Sequence, residues 1–221
     1  MSLTDMSKNL KLSKPEISRH LNILMDQNLI LRSDNDRTYV ISDLGEVLLK
    51  IVSPFNFILE KYDFFKNHSL NFLPIDIIKD IDMLQGAELI DGTGFIFNKM
   101  EELGKLPAES VKIIIDQPFP DFRENNVDHG YFIVPERLKN NNGFEDVFKQ
   151  KYANYRVQML QIIHYPIGII NEEYGFLFLP DSTGKVDYNY CLYTQEQLGI
   201  EFINKIWSYY WNQSRTLFSK S

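Results

Sequence analysis

Leu3, Met6 and Leu10 recur at helical spacing and predict a short helix over Leu3–Leu10. Lys11-Leu12 makes a turn, after which Ile17, Leu21 and Leu24 mark the buried stripe of a second helix. Its start carries three signals. Ser13 stands at the N-cap, Glu16 follows three residues later in capping-box position, and Pro15 falls in the first turn, where a missing N–H costs nothing. Asn28 is the predicted C-cap. Residues 29–32 and 38–41 read as two strands around a turn-rich tip at 33–37. Ser42-Asp43 opens another helix, which Pro54 interrupts or restarts ahead of residues 55–65.

From about Asn67 the pattern changes. Helices are predicted at 74–84, 95–103 and 144–152, and strands at 86–91, 111–116 and 130–134. The run 111–116 is branched and apolar, as in a buried strand. Segments 156–164, 167–170, 174–179 and 188–192 read as strands of one sheet, and 194–214 closes the chain as an amphipathic helix carrying Trp207, Tyr210 and Trp211. Strands alternating with helices predict an α+β or α/β domain. The expected organisation is therefore a helix-turn-helix with a hairpin over 1–50, a linker or dimerisation helix over 51–66, and an α/β domain over 67–221.

With 221 residues, of which 44% are hydrophobic and 14% aromatic, two small domains can each bury a core. The single cysteine, Cys191, excludes a disulfide framework within the chain and fits a reducing compartment. No apolar run approaches the roughly 20 residues of a membrane span, and the N-terminus lacks a signal-peptide pattern. The expectation is a cytoplasmic protein without membrane contact. A net charge of −7 argues against indiscriminate binding to nucleic acid, so the distribution of charge matters more than its sum. Over residues 1–50, Lys8, Lys11, Lys14, Arg19, Arg32, Arg37 and Lys50 are balanced by Asp5, Glu16, Asp26, Asp34, Asp36, Asp43 and Glu46. Within that neutral module Lys8, Lys11, Lys14 and Arg19 lie close together, opposed only by Glu16: a small positive face.

Helix, turn, capped helix, hairpin and helix in that order are what a winged helix requires. A helix that enters the major groove of double-stranded DNA must present polar side chains opposite its apolar stripe. The second helix offers Lys14, Ser18, Arg19 and Asn22, with Ser13 and Pro15 at its N-terminal edge. An arginine forks onto guanine, an asparagine pairs with adenine, and a lysine meets phosphate. Arg32 and Arg37 flank the hairpin and are expected to touch the neighbouring backbone, while Asp34 and Asp36 at the tip are repelled by it. The wing is thus expected to meet DNA at its base.

The stretch Leu12-Ser13-Lys14-Pro15-Glu16-Ile17-Ser18-Arg19-His20-Leu21, then Leu29-Ile30, then Tyr39-Val40-Ile41-Ser42-Asp43-Leu44-Gly45, resembles the ArsR-type winged-helix regulators. In those proteins an S-x-H-L run lies on the recognition helix and a Y-x-L-T-x-x-G run closes the wing. The run Asn67-His68-Ser69-Leu70-Asn71-Phe72-Leu73-Pro74 and the terminal Trp207-Ser208-Tyr209-Tyr210 resemble the C-terminal domain of archaeal regulators grouped with methanogenesis regulators. These pair an ArsR-like winged helix with a sensor domain similar to the phospholipase-D fold. The resemblance implies a transcription regulator, working as a homodimer and answering to a small-molecule effector. A complete winged helix of this kind has a further helix before the first one here. Either the start lies upstream, or another segment or subunit completes the core, or DNA binding is impaired. Otherwise the stripe of Ile17, Leu21 and Leu24 is expected to be partly uncovered, at about 25 cal/mol per Å².

Other chemistry finds less support. His20 has no Cys or His at ligand spacing, so packing beside the hairpin is the expectation and no metal or other cofactor is assigned. A phospholipase-D site needs His followed two residues later by Lys; His20, His68, His129 and His164 are followed by Asn22, Leu70, Tyr131 and Pro166. No catalytic residue is assigned, and the chain is read as a regulator rather than a phosphodiester-processing enzyme. Gly92-Thr93-Gly94 lacks the lysine of a phosphate loop, and Asp116, Asp121 and Asp128 are too scattered for paired catalytic carboxylates. Tyr131, Arg156, His164, Tyr165 and Tyr174, at predicted strand ends, are the candidates for effector binding. A degenerate winged helix used for protein contacts is the alternative that the neutral module permits.

Overall fold

The computed structural model describes residues 2–33, 38–117, 127–140 and 155–216, and divides the chain into two units, Met1–Asn56 and Phe57–Ser221. The division falls inside the segment 51–66 expected to link the domains.

In the first unit, α1 (Leu3–Leu10) begins with the capping box expected one helix later: the Ser2 hydroxyl accepts from the Asp5 amide, and the Asp5 carboxylate takes the Ser2 amide. Lys11, in the left-handed region at φ 54°, turns the chain into α2 (Lys14–Asp26), and the Ser7 hydroxyl donates to Leu12 O across that turn. Ser13 occupies the N-cap of α2 and Pro15 its first turn, but the Ser13 side chain makes no capping bond, so the Ser13–Glu16 box does not form. Asn28 adopts φ 56° just past the cap residue Gln27. Leu29 N then bonds Leu24 O and Asn28 N bonds Met25 O, a Schellman closure.

Strands β1 (Ile30–Arg32) and β2 (Tyr39–Ile41) pair antiparallel, Arg32 opposite Tyr39. Ser42 fixes the hairpin to the next helix: its hydroxyl donates to Asn28 O at 2.6 Å and accepts from Gly45 N at 3.0 Å. A Cβ on Gly45 would stand 2.1 Å from Leu29 O, so only glycine lets this helix approach so closely. That helix, α3 (Asp43–Glu60), runs through Pro54. The proline removes one N–H from the ladder, yet apolar residues continue at helical spacing on both sides, and the expected interruption is not observed.

Of the stripe expected to be partly uncovered, Ile17 and Leu21 are buried and Leu24 is half-buried. Most of the uncovered apolar surface of this unit lies on Leu31, Val40 and Ile41 of the hairpin and on Leu44, Val47, Leu48, Ile51, Val52 and Phe55 of α3. His20 is exposed rather than packed beside the hairpin.

The second unit takes the last turn of α3 from Phe57, then α4 (Tyr62–Phe65) and α5 (Ile75–Ile78). The predicted helix 74–84 is in fact α5 followed by a 3₁₀ turn, Ile81–Leu84. Next come β3 (Glu88–Asp91), α6 (Thr93–Gly104), β4 (Ala108–Ile114), β5 (Val127–Pro135), β6 (Tyr155–Leu160), β7 (Ile167–Ile170), β8 (Tyr174–Leu177), β9 (Tyr190–Thr194), α7 (Gln197–Gln213) and β10 (Arg215–Thr216). They form one eight-stranded sheet in the order β10-β6-β5-β4-β7-β8-β9-β3. β4, β5 and β6 are parallel and the other pairings antiparallel. The strand expected over 156–164 ends at Leu160, ahead of Pro166, which has no amide to give a ladder; the helix expected over 194–214 yields Thr194 to β9. The predicted helix 144–152 lies outside the described residues.

One sheet face packs against α7, where Phe202, Ile203 and Ile206 are fully buried together with Ile133, Ile169 and Leu177. Ile96 and Leu103 of α6 cover Phe176 and Tyr193. Cys191 is buried and free, and burial pushes its thiol up. Among the described residues no helix is long and apolar enough to cross a membrane.

Candidate nucleic-acid interface

The exposed polar edge of α2 is set by what the helix hides. With Ile17 and Leu21 turned inward, the helical period of about 100° per residue places Pro15, Arg19 and Asn22 on the opposite side and Ser18 at its border, while Lys14 sits in the first turn on the side of Leu21. Ser13, Lys14, Pro15, Arg19 and Asn22 are exposed and Ser18 is half-buried. No carboxylate pairs with Lys14 or Arg19 among the described residues, so both cations are open to a partner. Arg32 is exposed on β1; Arg37, with Asp34 and Asp36, lies outside the described residues.

Two residues absent from the sequence-based set share this edge. Asp26 is exposed at the C-terminal end of α2, one turn beyond Asn22, and places a negative charge beside the polar row. Ile23 is 47% exposed next to Arg19 and Asn22, an apolar group of the kind that meets a thymine methyl. Helical angle alone would have revealed both. On α1, Asp5 is engaged by the Ser2 hydroxyl and amide, which hold its carboxyl below the usual range. Lys8 and Lys11 are exposed near the α1–α2 turn.

The five residues expected to bind an effector fall in three places. Tyr131 and Arg156 are neighbours on β5 and β6, the guanidinium 5.9 Å from the ring centre. His164 and Tyr165 lie between β6 and β7. The His164 ring stacks on Phe72 at 3.9 Å, with Nδ1 3.1 Å from Gly184 O. Tyr165 is fully buried; its hydroxyl donates to Ser69 O and accepts from Phe72 N, and burial pushes its pKa up. Tyr174 packs on the cluster beneath α6.

The other histidines and carboxylates divide similarly. His68 is buried against Phe64, with Nδ1 2.8 Å from Phe64 O and Nε2 3.4 Å from Asp187. His129 and Asp128 are exposed on β5, whereas Asp116 accepts from the Tyr188 hydroxyl; Asp121 lies outside the described residues. Thr93, between the two glycines, donates to Asn189 Oδ1 at 2.9 Å, a tie between α6 and the start of β9.

A pair of helices joined by a tight turn, the second with an exposed polar edge and followed by a two-stranded hairpin, is a winged helix-turn-helix. Residues 1–31 match the family model described as bacterial regulatory protein, arsR family. No curated protein matches the chain. Similar solved structures include TrmBL2, an archaeal chromatin protein described as showing a novel mode of DNA binding, with 12% identity and a TM-score of 0.44 over 98% of this chain and 88% of that one. NucT from Helicobacter pylori is 16% identical with a TM-score of 0.46, covering 59% of this chain and 98% of its own. Nuc from Salmonella typhimurium, a phospholipase D family member, is 14% identical with a TM-score of 0.45, covering 60% and 99%.

Proposed function

We propose that the chain is a DNA-binding transcription regulator whose reading element is α2. The observation that carries this reading is the exposed edge of Arg19 and Asn22, with Lys14 exposed in the first turn, on a helix whose other side is held by Ile17 and Leu21. The arsR-family match over the same residues supports it. The absence of a His-x-Lys element from the sequence separates the reading from phosphodiester chemistry.

The regulator acts as a homodimer. Leu44, Val47, Leu48, Ile51, Val52 and Phe55 recur every three or four residues along α3 and are exposed, a stripe of the width that buries against a second helix. Two copies place their α2 helices in successive major grooves roughly 34 Å apart on a pseudo-palindromic site. A neutral module makes few phosphate contacts, so affinity per copy is modest. The C-terminal unit supplies the response to an effector. Arg19→Ala is expected to abolish specific retardation of the cognate duplex with the fold intact; unchanged retardation would remove α2 as the reader. The even charge balance of residues 1–50 favours one other reading, a winged helix that binds protein. Its signature is no retention of DNA even at low salt, together with a stable hetero-complex.

A further inference from the structure

On the sheet face covered by α7, the three parallel strands carry a polar row. Lys112 of β4, Tyr131 of β5 and Arg156 of β6 are neighbours in register. All three turn toward α7: Lys112 Nζ donates to Asn204 Oδ1 at 2.8 Å, and the Tyr131 ring meets Trp211 edge-on at 5.8 Å with Arg156 over it. With strands about 4.8 Å apart, the row spans roughly 10 Å.

Its two ends differ. Lys112 is neutralised by Glu172 at 2.6 Å, and Asn204 closes the triangle by donating to the same carboxylate. That end has a structural purpose, since it ties α7 to the tight turn at Asn171 and Glu172, both in the left-handed region. The other end has none of this kind. Arg156 is exposed, and among the described residues no carboxylate pairs with it. A guanidinium laid on an aromatic ring keeps its in-plane N–H donors free, and these match a carboxylate or phosphate two at a time. Beside it, the half-buried rings of Tyr131 and Trp211, at 77° to one another, form an apolar corner.

We propose that this row binds a small organic oxyanion, a carboxylate or phosphate ester on a flat apolar body. Arg156 takes the anionic group, Tyr131 and Trp211 take the body, and the Lys112–Glu172–Asn204 triangle meets the polar far end. This deepens the effector part of the reading above. It replaces the five scattered candidates by two of them, Tyr131 and Arg156, and adds residues that only the fold brings alongside.

The test is a titration of the full-length chain, without DNA, with phenyl phosphate and with benzoate, read by intrinsic fluorescence; both tryptophans, Trp207 and Trp211, lie stacked in α7. A saturable change is expected for at least one of the two anions and none for phenol. Arg156→Met is expected to weaken binding about ten-fold or more, the scale of a lost charge-assisted pair, without moving the unfolding midpoint. Arg156→Lys should fall between. No saturable response to either anion, equal binding of phenol, or undiminished binding by Arg156→Met would each overturn the proposal. Because DNA is absent, failure here is separate from failure of α2 as the reader.

Discussion

The two units reach order by different means. Among the described residues of Met1–Asn56 the buried large side chains are Ile17 and Leu21, and local devices do the remaining work: the Ser2–Asp5 box, the left-handed Lys11 and Asn28, and Ser42 bonded to both Asn28 and Gly45. In Phe57–Ser221 a sheet is packed on α7 and α6, with Phe202, Ile203, Ile206, Ile133 and Leu192 almost wholly out of solvent. The first unit keeps its apolar surface outward on α3 and the hairpin, the second hides it. Under the proposed function, a module that presents one helix to DNA and another to a second copy has little interior to spare, and a unit that holds a ligand row in register needs a rigid interior.

That contrast can be broken most severely in the larger core. Phe202→Ala, at a fully buried position of α7, is expected to cost about 3–5 kcal/mol, read as a lower urea midpoint by tryptophan fluorescence, which reports only the second unit. A loss below about 1 kcal/mol would mean that this core is loosely packed.

Alkali acts on the same unit. Burial pushes Tyr210 up to about 12, and desolvation with the nearby Tyr174 pushes Tyr193 to about 12; Tyr165 and Tyr188 are also raised by burial. A raised folded-state pKa means that the neutral phenol is favoured by folding. The associated stability is therefore complete below pH about 10 and is lost as pH climbs toward 12. For Tyr210 alone this amounts to on the order of 2 kcal/mol. Urea midpoints by fluorescence should fall across that window, the decline beginning at about pH 9 because burial also raises the Cys191 thiol from its ordinary value of 9.0.

In the first unit, Gly45→Ala puts a Cβ against Leu29 O and is expected to cost about 1–3 kcal/mol, lowering DNA retention while the fluorescence transition stays in place. Ser42→Ala, which deletes the cap on Gly45 N, should cost about 1 kcal/mol by far-ultraviolet circular dichroism. The smallest stability effect is expected from Ile51→Glu on the exposed face of α3, which should instead lower self-association in sedimentation; an unchanged assembly would remove this stripe as the dimer seam.

Local signals were legible in the sequence and long-range ones were not. α1 and β7 fall where spacing predicts them, and the strands β3, β4, β5, β8 and β9 lie within a few residues of prediction. Ser13 carries the right residues for a capping box, but the box forms at Ser2, because the hydroxyl must also be aimed and spacing does not encode aim. Pro54 reads as a break and is carried inside α3. The helical period of α2 alone implies an exposed polar edge, and it implies Ile23 and Asp26 on that edge as well. Tyr131 and Arg156 were singled out as strand-end residues. What joins them to Lys112, Glu172, Asn204 and Trp211 is strand register and the docking of α7, which depend on pairings far apart in sequence.

The most direct measurement is genomic footprinting of the tagged full-length protein beside its Arg19→Ala form. Discrete protected sites, each with two half-sites about one helical turn apart and absent for Arg19→Ala, are the predicted result. Protection spread evenly along the genome, or identical for the two proteins, would contradict α2 as the element that reads DNA.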